Sequence, residues 1–202
     1  MNKSNNRHII IKYILVFSNL FFILKGSSQP TISSLMDLIA KTSYDSIKAN
    51  AYYDLSRLTS RENTARAFKY ADTGKIIFDK LKNDSGINLY QYIKSIIFYS
   101  SGHYQEAVEA GEKYLQWTVD AKNREREWYA VSNLSNLYRE TGDLTKGIEQ
   151  SLRGMEIGIE LNRDDENGYF YNELGNMYAT LKQYESSTLY FQKAFDLSKK
   201  LS

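Results

Sequence analysis

The chain has 202 residues, is 42% hydrophobic and contains one proline, eleven glycines and no cysteine. That is enough apolar material for one sizeable core or one continuous solenoid, and it excludes disulfides, thiol nucleophiles and cysteine metal sites. Of the 26 basic and 24 acidic residues, four basic ones (Lys3, Arg7, Lys12, Lys25) and no acid lie within residues 1–28, so the remainder carries a net charge near −2 and offers no basic stripe to nucleic acid.

The amino terminus differs in composition from everything after it. Lys3 and Arg7 give a basic start, and Ile9 to Leu24 is apolar except for Lys12, Ser18 and Asn19. Gly26-Ser27-Ser28 then supplies small residues before Gln29. This order predicts a secretory signal over residues 1–28 and export to the periplasm or beyond. The alternative is an uncleaved segment that anchors the protein facing outward, for which the apolar run is short and interrupted.

Residues 29–44 are predicted as an amino-terminal helical segment, with Leu35, Leu38 and Ile39 at helical spacing. Four helical pairs are predicted next, over about 45–82, 86–122, 125–162 and 166–202. Their first helices span about 45–59, 86–100, 125–140 and 166–180. Their second helices span about 62–81, 104–121, 144–161 and 184–200. The linkers Lys82–Gly86, Lys122–Arg124 and Asn162–Asp165 are polar, and each contains an Asn suited to a helix end. Inside the pairs, Gly102 and Gly142 sit where the chain must leave a helix sharply, while Lys182 takes that place in the last pair and predicts a strained or differently shaped turn.

The pairs repeat in phase every forty residues. Tyr104, Leu144 and Tyr184 open second helices; Phe98, Tyr138 and Tyr178 lie six residues before them, and Ala107, Gly147 and Ser187 three residues after. Leu58, Thr64 and Ala67 occupy the same slots in the first pair. The small residues are expected where paired helices cross closely, with the bulky slot filling the gap. Ala107→Trp is therefore expected to open its pair and destabilise the fold by a few kcal/mol.

At these residues the chain resembles the tetratricopeptide repeat (TPR) family. The strongest copy runs Tyr171, Leu174, Gly175, Tyr178, Tyr184, Ser187, Phe191, Ala194; a second has Val131, Leu134, Ser135, Tyr138, Gly142, Leu144, Gly147. A third keeps Phe98, Gly102, Tyr104 and Ala107 but has Lys94 and Ser95 where Leu and Gly are usual. The forty-residue period is similar to long TPR variants in kinesin light chains and to exported TPR regions of bacterial sensor proteins. The resemblance implies an all-α fold, a right-handed α-solenoid of antiparallel helix pairs, whose first helices line a concave groove.

Carried onto this sequence, the resemblance places Tyr52, Ser56, Tyr92, Ile96, Tyr99, Tyr129, Ser132, Asn136, Arg139, Tyr169, Asn172 and Asn176 on that groove. Asn136 and Asn176 share one slot, where a side-chain amide can both donate to and accept from a bound backbone. The tyrosines would offer flat apolar area with few rotors. Arg139 could hold a carboxylate or pair with Glu140 or Glu173 on the surface. Of the two histidines, His8 falls in the signal and His103 in a turn with no obvious partner. The acids Glu106, Glu109, Glu125 and Glu127 read as charged helix faces, and Asp164-Asp165-Glu166 lacks calcium-loop spacing.

The expectation is thus a non-enzymatic exported scaffold for a protein or peptide, without metal or cofactor. The alternative is the amino-terminal sensor portion of a longer receptor such as a histidine kinase. Phe195, Leu197 and Leu201 carry an apolar stripe along the last helix, where a polar cap is usual, and so allow pairing of two chains there.

Overall fold

Residues 30–201 are described by a computed structural model of the chain; the predicted signal lies outside them. Among the described residues, nine α-helices follow one another: α1 (Ile32–Lys41), α2 (Asp45–Thr59), α3 (Thr64–Lys80), α4 (Asp84–Ser100), α5 (Tyr104–Asp120), α6 (Arg124–Thr141), α7 (Leu144–Glu160), α8 (Gly168–Thr180) and α9 (Tyr184–Leu201). A 3₁₀ turn, Asp164–Asn167, precedes α8. Helices α2/α3, α4/α5, α6/α7 and α8/α9 form antiparallel hairpins that stack into an all-α solenoid, with α1 packed on the first of them.

The junction residues explain where the helices stop. Lys82, Lys122, Asn162 and Lys182 take φ between 51° and 59°, and Gly102 and Gly142 take 79° and 83°. One left-handed residue lets the next N–H turn back onto the helix just ended. Asn83 thus donates to Phe78 O at 3.0 Å and Asn123 to Thr118 O at 2.9 Å. The same two asparagines start the following helices, since their side chains accept from Gly86 N at 2.8 Å and Arg126 N at 3.0 Å. Such a cap is worth about 1 kcal/mol. Of the linker asparagines, only Asn162 takes the helix-ending conformation; Asn83 and Asn123 belong to the next helix. Lys182 reproduces the glycine turn, because Gln183 donates to Tyr178 O at 2.9 Å just as His103 donates to Phe98 O.

Trimmed side chains set how closely the hairpins approach. Ala67 and Ala107 are fully buried and Ser187 is 5% exposed. A Cβ at Gly147 would lie 3.5 Å from Tyr138 Cβ and 2.5 Å from Met177 Sδ, so this slot meets the next hairpin as well as its own. A Cβ at Gly154 would overlap the ring of Phe170 on α8, which is itself fully buried. Phe98 packs edge-on against Phe68 at 5.2 Å, and Tyr138 reaches Glu112, so these bulky residues also back onto the preceding second helix. Tyr178 instead stacks on Tyr190 of its own hairpin at 5.5 Å. Leu58 departs from the expected slot and is 40% exposed. Among the described residues no hairpin precedes it, and the short α1 covers Ala51 and Leu55 instead. On α9, Tyr184, Leu189 and Phe195 are more than half exposed.

Candidate functional site: the face of the first helices

Helical spacing puts one face of each first helix in line. On α4 that face carries Tyr92, Ile96 and Tyr99; on α6, Tyr129, Ser132, Asn136 and Arg139; on α8, Tyr169, Asn172 and Asn176. The helices are tied on this side. The Tyr169 hydroxyl donates to Ser132 O at 2.9 Å, and Arg139 Nε donates to Glu173 Oε2 at 2.9 Å. Asn172 and Asn176 are exposed, and Tyr99, Tyr129, Asn136, Arg139 and Tyr169 are half-buried. The side-chain amides of Asn136, Asn172 and Asn176 make no hydrogen bond among the described residues.

Tyr92 does not belong with them. It is 6% exposed and packs against Tyr114 at 5.2 Å, in a buried cluster that also holds Ile93 and Ala130. Ser56, from the same set of slots, is also fully buried. Arg139 pairs with both expected acids, with Glu140 Oε1 at 2.7 Å and with Glu173. The site is half-buried, and Glu173 is only 7% exposed. Burial alone would pull the Arg139 guanidinium down, but Glu173 and Glu140 outweigh it and push it up. Burial pushes up the hydroxyls of Tyr99, Tyr129 and Tyr169, with Arg139 and Arg163 opposing in part, so these phenols stay protonated hydrogen-bond donors.

Arg163 braces the edge of this face. Its guanidinium lies 4.4 Å from the Trp128 ring centre and 5.2 Å from that of Tyr129, donates to Tyr129 Oη at 3.3 Å, and forks onto Glu166 at 2.7 and 2.6 Å. Glu127, expected on a charged surface, is 2% exposed and accepts from Arg124 at 2.9 Å and from Arg153. That network was illegible because Arg153 lies 26 residues away, on another helix. His103 is exposed, with Ser101 Oγ 3.0 Å from Nδ1. Among the described residues no group of three or more acids and histidines could hold a metal, and no helix is long and apolar enough to cross a membrane.

On α2, burial pushes the Asp54 carboxyl up to about 6, with Arg57 at 3.1 Å partly offsetting it. A free aspartate titrates near pH 4, so on raising the pH the unfolded chain loses this proton before the folded chain does. Between about pH 4 and 6 the Asp54 contribution therefore falls, by up to about 3 kcal/mol, and it is constant outside that window. Asp54→Asn is expected to gain on wild type by that amount over the window. Urea melts of both proteins across it check this; parallel stability curves would contradict it.

The tetratricopeptide repeat family model matches residues 169–202. No curated protein matches the chain in sequence. Among solved structures the chain is similar to a signal transduction ATPase with numerous domains (STAND) protein with a tetratricopeptide repeat sensor from Pyrococcus horikoshii, at 23% identity and TM-score 0.70. That match covers 94% of this chain, which spans only 28% of the Pyrococcus protein. BtubC (BKLC) from P. vanneervenii aligns at 14% identity and TM-score 0.68, over 84% of this chain and 72% of its own. Kinesin light chain TPR-like repeats from Podosopora anserina align at 15% identity and TM-score 0.62, over 99% of both chains. The hairpin at residues 169–202 matches the tetratricopeptide repeat model, and the array it stands in has the fold of the tetratricopeptide-repeat proteins.

Proposed function

We propose that this chain is an exported, non-enzymatic TPR scaffold that binds a peptide or an extended segment of a partner protein along α4, α6 and α8. The observation that carries the reading is the row of unbonded amides, Asn136, Asn172 and Asn176, on the aligned faces of α6 and α8. Each amide offers a donor and an acceptor, which is what a peptide backbone requires. The fold supports the general role, since TPR arrays are interaction scaffolds. Export rests on the composition of residues 1–28.

A displayed random-peptide library, selected on the wild-type chain, tests the site. Binders are then titrated against the double variant Asn136→Ala, Asn176→Ala. Loss of two hydrogen bonds is expected to weaken binding about tenfold to a hundredfold. A selection without binders, or binders indifferent to the double change, counts against the groove.

A second reading has one specific support. The Pyrococcus protein carries its TPR region as a sensor within a much longer chain, and this chain aligns with only 28% of it. By analogy, the present array would be the sensing portion of a longer signalling receptor, using the same face.

A further inference from the structure

Three arginines beside the aligned faces are already neutralised. Arg139 is held by Glu140 at 2.7 Å and Glu173 at 2.9 Å, Arg163 by Glu166 at 2.6 Å, and Arg57 by Asp54 at 3.1 Å. The pairs are costly to open. A ligand carboxylate that drew Arg139 away would strand Glu173, which is 7% exposed and would be left as an uncompensated buried charge. A ligand cation seeking Glu173 would strand Arg139 in the same way.

Apart from Arg126, whose guanidinium turns onto α5 against the Tyr114 hydroxyl at 3.4 Å and the Trp117 ring, what remains open is neutral. Asn136, Asn172 and Asn176 present unbonded amides, Tyr99 presents a protonated hydroxyl, and Ile96, one turn before Tyr99 on α4, adds a half-buried apolar side chain. Amides in a row suit a backbone, and they do not discriminate by charge. Discrimination comes from the closed ion pairs, which turn away either sign by the penalty of breaking them.

Building on the groove reading, we infer that this face selects an extended, uncharged peptide segment and excludes acidic runs and terminal carboxylates. Recognition would run through the ligand's internal backbone, with aliphatic or aromatic ligand side chains against Tyr99, Tyr169 and Ile96.

The peptides selected above serve as the probe. Three properties are measured: net charge of the selected core, Kd as sodium chloride rises from about 50 to about 500 mM, and Kd after the peptide carboxyl terminus is amidated. The expected result is an uncharged core, with Kd shifting by less than about twofold in both titrations. A core of net charge of either sign, a Kd that rises about tenfold or more with salt, or dependence on a free carboxylate would overturn the inference. In those cases sensitivity to Asn136→Ala with Asn176→Ala still shows that the groove is the site. A library that yields no binder, or binders indifferent to that double variant, removes the groove itself and this inference with it.

Discussion

Gly154→Ala is expected to lower the unfolding free energy by about 2 kcal/mol, and to raise it by about 1 kcal/mol when made on top of Phe170→Ala. The sign reverses because a single contact decides it. In isolation the change favours α7, since alanine is the better helix former by about 1 kcal/mol. In the native chain the new Cβ overlaps the Phe170 ring. That ring has no room to retreat: it is fully buried and held edge-on by Trp128 at 5.6 Å and Tyr169 at 5.3 Å. Phe170→Ala alone empties the site and costs about 4 kcal/mol. With the ring gone, the added methyl meets no obstacle and the propensity gain is recovered. Urea unfolding of the four proteins, followed by circular dichroism, gives the cycle. Additive effects would mean that α7 and α8 do not meet at these residues.

Ala107→Trp is the second large effect, at about 3 kcal/mol or more of lost stability. Ala107 is fully buried in a cluster with Leu134, Leu137 and Tyr138, and its carbonyl accepts from Ser95 Oγ at 2.8 Å. Asn133 Nδ2 donates to the same Ser95 Oγ at 2.6 Å. An indole there pushes α5 away from α4 and α6 together, breaking packing and this polar bridge at once. The thermal midpoint is expected to fall by about 10 °C. An unchanged midpoint would contradict the close crossing at this position.

How much of this was legible in the sequence depends on the range of the interaction. Helix ends were readable to within about two residues because they are local, set by a turn residue, a cap and a fixed phase, whereas the 3₁₀ turn Asp164–Asn167, where the last hairpin was expected to begin, was not. Lys94 and Ser95, which depart from the usual repeat residues, became intelligible only in the structure, where Ser95 bridges α5 and α6. The slot rule placed Asn136, Asn172 and Asn176 on accessible faces, yet it misplaced Tyr92. A slot records angle around the helix axis, whereas burial depends on the neighbour, here the Tyr114 ring packed on Tyr92. The pairing of Arg139 with Glu140 and Glu173 was within reach of the sequence, whereas the pair that buries Glu127 with Arg153 joins residues 26 positions apart, and no local pattern announces it.

The lysines that end helices in a left-handed conformation bear on mechanics. Glycine would leave those joints free to swivel, because it crosses between positive and negative φ at little cost. Lys82, Lys122 and Lys182 each carry a Cβ that confines the backbone to one narrow well. These joints are therefore stiffer than the turns at Gly102 and Gly142, so bending of the array is expected to concentrate at those two glycines, within the second and third hairpins.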